Sequence, residues 1–194
     1  MMAILMCFRH QIMMIKSDII QAAQTSFTRD NIALGQSPVA ALIGFIPADA
    51  FNGTYGSTPF NFVAGNNILS AYMEVNGRKL AFDNPLNLDL ANNRYKQAYH
   101  SLLLFAGQHK WFNSGLDFSP EEFITGNFLM GCSNVRDLDS AGNAIEPPEE
   151  GATKVHCTWR NGGPGQLTIP ILIFIFETVT EITSTRQVIH TFNQ

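Results

Sequence analysis

Hydrophobic and polar residues follow one another in short segments, which turn-forming residues interrupt every ten to fifteen positions. The segment "NILSAYMEV" (67–75) alternates between two sets of side chains, the period-two pattern of a strand with two different faces. Two other segments, "VAALIGFIPA" (39–48) and "IPILIFIF" (169–176), are almost continuously apolar, which is typical of strands covered on both faces. Further strands are predicted at 11–20 and in "NFLMGCSNV", "KVHCTW" and "RQVIHTF". The pattern predicts eight or nine short strands.

A two-residue turn follows the alternating segment. Asn76 and Gly77 stand between it and "RKLAF". A type I′ turn requires positive φ at both central residues, and Asn-Gly is the pair that best accepts it. The sequence therefore predicts a β-hairpin that turns at Asn76 and Gly77.

Two segments have helical rather than strand character. In "RYKQAYHSLLLFA" (94–106), apolar side chains recur three or four positions apart, as on one face of a helix. In "SPEEFI", Ser119 precedes Pro120, and Glu122 follows three positions after the serine. This order is a capping box with proline at the first helical position, so a short helix is predicted there.

The order of these elements indicates the architecture. Strands do not alternate regularly with helices, so a parallel βαβ sheet is not expected. We predict an all-β fold, an antiparallel β-sandwich of jelly-roll type with one or two short helices in its connections. Residues 12–194 are predicted to form a single domain, and 1–11 remain an unassigned N-terminal segment. Neither an internal repeat nor a linker is visible.

The composition restricts the classes of partner. The chain of 194 residues is 45% hydrophobic but only 14% charged, whereas an average domain carries about 25% charged residues. Scarce surface charge favours burial in an assembly. A formal net charge of -4, without a run of Lys or Arg, gives no electrostatic basis for direct nucleic-acid binding.

The sequence also bears on where the protein works. Its longest apolar run has eight residues, whereas a spanning helix needs about 20, so no membrane-spanning segment is predicted. The N-terminus has neither the basic region nor the cleavage site of a signal peptide, and we expect a protein that is not secreted. Three cysteines without metal-ligand spacing suit free thiols in a reducing compartment.

Candidate catalytic residues do not form a recognisable set. The five histidines lack the spacing of metal-binding motifs. His156 and Cys157 resemble a nucleophile pair, but neighbouring residues of a strand point to opposite faces and cannot share a proton. We predict that the protein is not an enzyme, with no catalytic, cofactor-binding or metal-binding residues.

The segment "DAFNGTYGSTPFNF" (49–62) concentrates aromatic rings around a turn. It holds Phe51, Tyr55, Phe60 and Phe62 but only one formal charge. Catalysis needs titratable groups, which this segment almost lacks, whereas subunit contacts favour large rings on a fixed backbone. We name segment 49–62 the anchor loop. We interpret its four aromatic residues as divided between the domain's own core and a contact with another subunit.

Several segments together resemble a known family. The stretch "DNIALGQSPVAALIGFIPADAFNGTYGSTPFNF" is similar to the "LGQ-P", "GF", "AFNG" and "NPFNF" series in capsid proteins of Polinton and adintovirus-type elements. The segments "AYMEVNGRKL", "YKQAYHSLLLFAG", "FSPEEFITGNFLMGCSNV" and "FIFETVTEITSTRQVIHTF" continue the resemblance. It covers about 14–192, and the "LGQ…AFNG…PFNF" block is its most specific part.

The resemblance is to the C-terminal half of a double jelly-roll capsid protein about twice as long. Two features depart from the family. Residues 1–11 match nothing in it, and "GQLTIPILIFIF" is continuous around 168–171, where the family has two strands separated by a polar loop.

The resemblance implies a structural capsid protein that assembles into trimeric capsomers of an icosahedral shell, without a cofactor. The implied partners are other copies of the chain, the missing first jelly roll and other capsid proteins. The implied location is the virion, or the cytoplasm or nucleus of the host cell. The alternative is a β-sandwich module that binds a ligand or carbohydrate on a platform of Tyr55, Phe60, Trp111 and Phe112.

Overall fold

The structure is a computed structural model of the 194-residue chain. It describes residues 4–32, 37–56, 58, 62, 68–80, 86–89, 92, 94–109, 119–134, 151–159, 163–183 and 188–191. Ten strands and three helices lie within these ranges. In chain order they are β1 (Ile4–Ser17), β2 (Ser26–Arg29), β3 (Ala40–Pro47), α1 (Ala48–Phe51), β4 (Ile68–Val75), β5 (Arg78–Leu80), β6 (Leu86–Asn87), α2 (Lys96–His109), α3 (Pro120–Thr125), β7 (Leu129–Ser133), β8 (Thr153–Trp159), β9 (Thr168–Thr183) and β10 (Val188–Thr191).

The strands form two antiparallel sheets. The first has the order β1-β9-β3-β7, with β10 also paired to β9, and the second has the order β2-β8-β4-β5, with β6 also paired to β4. Four pairs are nested along the chain: β1 with β9, β2 with β8, β3 with β7, and β4 with β5. Successive pairs alternate between the two sheets, which is the wrapping of a jelly roll. The predicted all-β sandwich is confirmed.

The core lies between the two sheets. Strand β8 alternates strictly between buried and half-buried residues, so that Val155 and Cys157 point inward. Phe45 and Phe174 from the first sheet and Met73 from the second are fully buried in the same cluster. One face of each sheet is therefore sealed by the other sheet, as the period-two pattern requires.

Helix α2 covers part of the outer face of the first sheet. Phe105 on α2 packs with Ala40 and Ile175 in a second, smaller cluster. The helix approaches β7 at Gly131, where an added Cβ would lie 2.7 Å from the Cβ of Phe105. The second apolar face of β3 is thereby explained, since a helix covers it from outside.

The short helix α3 has the start that the sequence predicts. The Ser119 side chain accepts a hydrogen bond from the Glu122 amide at 3.3 Å, and the Glu122 carboxylate accepts one from the Ser119 amide at 2.7 Å. Pro120 occupies the first turn, and the buried side chain of Phe123 attaches the helix to the core.

The N-terminal strand differs from its predicted bounds. Strand β1 runs from Ile4 to Ser17, whereas the sequence places a strand at 11–20 and leaves 1–11 unassigned. Residues 4–11 lie in the first sheet because they pair with the C-terminal half of β9, where Cys7 is opposite Glu181. Strand β9 is one continuous strand of 16 residues, paired with β1 on one side and β3 on the other.

Asn76 and Gly77 join β4 to β5. Their φ angles are 51° and 78°, and Val75 is opposite Arg78. Both signs are those of a type I′ turn. The Asn76 side chain also accepts a hydrogen bond from the Ala152 amide at 3.2 Å, which ties the hairpin to the start of β8.

Replacement of Gly77 tests this turn. We expect Gly77→Val to lower the free energy of unfolding by about 1–3 kcal/mol, because a β-branched residue is strained at positive φ. Gly77 has open space around it, so the cost would come from the backbone and not from a clash. Urea denaturation measures the difference, and an unchanged midpoint would contradict the turn geometry.

Candidate functional site

The anchor loop begins on a hydrogen-bonded helical turn at the end of β3. Helix α1 follows Pro47, and its residues Ala48 and Ala50 are buried. The Asn52 and Thr54 amides donate to carbonyl oxygens of α1 at 2.9 and 3.0 Å. These hydrogen bonds hold the first part of the loop in one conformation.

Two rings of the anchor loop lie at the surface. Phe51 is 51% exposed at the end of α1, and Tyr55 is as exposed as in an unfolded chain. Gly53 and Gly56 both have positive φ, at 72° and 89°, so the chain turns sharply before and after Tyr55. The result is two aromatic side chains presented outward from a hydrogen-bonded turn.

Phe62, at the other end of the loop, packs on the domain itself. Its amide donates to the Gly126 carbonyl oxygen at 2.8 Å. An added Cβ at Gly44 would lie 2.9 Å from the Phe62 ring, so the ring lies directly on β3. Phe62 therefore closes the loop against the sandwich, while Phe51 and Tyr55 point away from it.

The remaining candidates fall outside the described residues. These are Phe60 of the anchor loop, and Trp111 and Phe112 of the alternative platform. Of the four platform residues, only Tyr55 is described.

The described residues include few groups that could bind a metal ion or act as a nucleophile. Within the described ranges, no three His, Cys, Asp or Glu side chains come together in a way that could hold a metal ion. His156 and Cys157 lie on opposite faces of β8, with Cys157 buried and His156 half-buried on the outer face. Burial raises the pKa of the Cys132 thiol to about 12 and raises that of Cys157 further. Both thiols are therefore protonated and unreactive at neutral pH.

A row of polar and aromatic side chains crosses the outer face of the second sheet. Thr28 on β2 is hydrogen-bonded to His156 Nδ1 at 2.7 Å. The His156 ring lies 5.1 Å from the ring of Tyr72, over which Lys79 Nζ lies at 4.8 Å. Beside this row, Lys154 forms an ion pair with Asp30 at 3.4 Å. Sequence reasoning did not identify this row, because it depends on the register between four strands.

Burial and neighbouring charges act on His156 together. Desolvation lowers its pKa from the ordinary value of 6.5, and the ammonium groups of Lys154 and Lys79 lower it further. His156 is therefore neutral at pH 7, where its ring pairs with Tyr72 without charge repulsion from the two lysines.

This lowered pKa predicts a pH dependence of stability. Below about pH 6.5 the unfolded chain binds a proton at His156 more readily than the folded chain does. The stability that the neutral ring contributes is therefore present above that pH and lost as pH falls toward the lower folded pKa. We expect His156→Gln to flatten the decline in unfolding free energy between pH 7 and pH 5. Equal slopes in the variant and the wild type would contradict this.

Comparison with known proteins finds a relative in a nematode. A protein of Caenorhabditis elegans described as "Uncharacterized protein F54H12.2" is 26% identical over 88 residues, which are 45% of this chain. The matched segment spans 20% of that protein's length. No family model matches the chain. No helix in the described part of the chain is both long enough and apolar enough to cross a membrane.

Proposed function

We propose that the chain is a structural capsid protein, a virus-derived jelly roll that assembles into trimeric capsomers of an icosahedral shell. The observation that carries the proposal is the anchor loop, in which a hydrogen-bonded turn presents Phe51 and Tyr55 to solvent while Phe62 closes on β3. Large exposed rings on an ordered backbone lose little entropy when buried, which suits a contact between subunits.

Three further features support this proposal. The sandwich has the nested strand pairs of a jelly roll, an architecture used by viral capsid domains. The chain has few charges, and two of its cysteines, Cys132 and Cys157, are buried. The sequence resembles capsid proteins of Polinton and adintovirus-type elements from 14 to 192.

The proposal specifies partners and place. The partners are other copies of the chain, a first jelly roll that completes the double jelly roll, and other capsid proteins of the shell. The net charge of -4 supports contacts with protein rather than direct contacts with nucleic acid. The protein would work in the virion, or in the cytoplasm or nucleus where virions assemble.

A second candidate function is a carbohydrate-binding module. The row of Thr28, His156 and Tyr72 favours it, because a flat sheet face with an aromatic ring and hydrogen-bonding groups can hold a sugar. Against it, Thr28 and His156 already hydrogen-bond to each other, and the Tyr72 ring already contacts the His156 ring and Lys79. Binding to an array of glycans, abolished by Tyr72→Ala, would move this function ahead of the capsid.

The anchor loop is tested by truncation of its exposed rings. We expect Phe51→Ala and Tyr55→Ala, made separately, to weaken trimer formation by about 2 kcal/mol or more per anchor residue. Leu69→Ala serves as the control, since Leu69 is a 36% exposed apolar residue on the other sheet. Light scattering across a concentration series measures the association. Two variants that fold and form trimers with wild-type affinity would contradict the role of the loop.

A further inference from the structure

Strand β1 forms one edge of the first sheet. It stands at the end of the order β1-β9-β3-β7 and pairs with β9 alone among the described strands. It is 14 residues long, whereas protected edge strands are usually short. The edge of β1 that faces away from β9 therefore offers backbone N–H and C=O groups to another strand.

The middle of β1 is apolar and exposed on both faces. Met13 and Ile15, opposite Ile175 and Ile173, lie on the outer face of the sheet and are 61% and 66% exposed. Ile12 and Met14, on the inner side, are 40% and 39% exposed. A helix would cover one face only, whereas a strand added in the plane of the sheet contacts the edge and the side chains of both faces.

The usual protection of an edge strand is missing here. Segment 11–15 contains neither a charge nor a proline. Lys16 follows it, but its ammonium group donates to the carbonyl oxygen of Ile32 and is held against the body of the domain. The exposed apolar segment is thus open to pairing.

We propose that β1 pairs antiparallel with β1 of a second copy of this chain. A twofold axis perpendicular to the sheet makes such a pair self-complementary. It also places the outer faces of both copies on the same side of the joined sheet. Met13 and Ile15 of both copies then form one continuous apolar strip on the outer face. The inference is independent of the capsid proposal, since it rests on the edge alone.

Charge favours the antiparallel direction of the pair. Antiparallel pairing about Met14 sets position 13 opposite 15 and sets Lys16 of each copy opposite the uncharged Ile12 of the other. Parallel pairing in register would instead set Lys16 against Lys16, a like-charge contact that destabilises adjacent strands. Segment 11–15 has no positive charge that could attract a nucleic acid or an acidic peptide. Its exposed apolar side chains match those of a second copy, which is therefore the fitting occupant.

Crosslinking tests this geometry directly. In the proposed register Met14 is opposite its own copy, at a Cα separation of about 4.5–5.5 Å that a disulfide can span. We expect Met14→Cys, oxidised with copper phenanthroline, to give a covalent dimer in good yield. Ser17→Cys is the matched control, because it is exposed on the same strand but lies six positions from its copy in this register. Equal dimer yields from Met14→Cys, Ser17→Cys and the wild type would overturn the proposal.

A second measurement follows the association itself. We expect the double variant Met13→Glu and Ile15→Glu to weaken twofold association about tenfold or more, because four carboxylates would meet in the strip. The control is Leu104→Glu on α2, which is 45% exposed over the opposite edge of the sheet and should associate as the wild type does. Circular dichroism confirms folding. A folded double variant with wild-type affinity, or a wild type without twofold association, would overturn the proposal.

Discussion

Phe174→Ala is expected to lower the free energy of unfolding by about 3–5 kcal/mol, a large part of the roughly 5–15 kcal/mol that stabilises a typical domain. Phe174 is fully buried on β9, the strand that pairs with β1 and β3. Removal of its ring leaves a cavity between two sheets whose backbones are held by hydrogen bonds and cannot collapse into it. The loss therefore includes both the transfer energy and the cavity.

A surface phenylalanine provides the matched control. Phe51→Ala removes the same ring from a half-exposed position on α1, where the expected change in stability is within about 0.5 kcal/mol. Urea denaturation of the two variants measures the difference between a core position and an exposed one. Similar midpoints for Phe174→Ala and Phe51→Ala would show that β9 does not lie at the centre of the sandwich.

Gly131→Ala is expected to cost about 1–3 kcal/mol by overpacking. Its added Cβ would lie 2.7 Å from the Cβ and 2.9 Å from the Cγ of Phe105, atoms close to the helix backbone that cannot rotate away. The substitution therefore has to displace α2 from β7, or strain one of them.

Gly107→Ala on α2 is the control with the opposite sign. Nothing lies within 4 Å of an added Cβ there, and alanine favours the helix over glycine by about 0.5–1 kcal/mol. Thermal unfolding should give a lower midpoint for Gly131→Ala and a higher one for Gly107→Ala. Two midpoints that move together would contradict the close packing of α2 on β7.

Local features of the fold were predictable from the sequence. The alternation in 67–75 reflects a strand with one face in the core, and Asn76-Gly77 and Ser119-x-x-Glu122 report backbone geometry within a few residues. The early start of β1 was not predictable in this way. Its first half is held by pairing with distant β9, and its alternation is blurred because both faces carry apolar residues.

The candidate site was predictable in part. The aromatic clustering in 49–62 identifies the anchor loop, but the sequence does not say which rings are buried. Phe62 lies on β3 because Gly44 leaves room for its ring. No local pattern in the sequence links these two positions. The row of Thr28, His156 and Tyr72 was missed for a related reason, since only the register of β2, β8 and β4 brings these residues together.

The two proposed contacts are separable by mutation. The anchor loop at Phe51 and Tyr55 would make threefold contacts, and the edge of β1 would make twofold contacts. A closed icosahedral shell needs contacts of both kinds. Loss of the loop contact should therefore leave β1-linked dimers, and loss of the β1 contact should leave trimers.

The central claim is that this chain works by assembling with copies of itself. Sedimentation velocity of the purified wild-type protein over a concentration series tests it most directly, because it separates the single chain from each larger assembly. We predict species at two and three times the 21.5 kDa chain mass and at larger multiples, and the share of these species should increase with concentration. A single species of one chain mass, unchanged up to the highest concentration at which the protein stays dissolved, would contradict the claim.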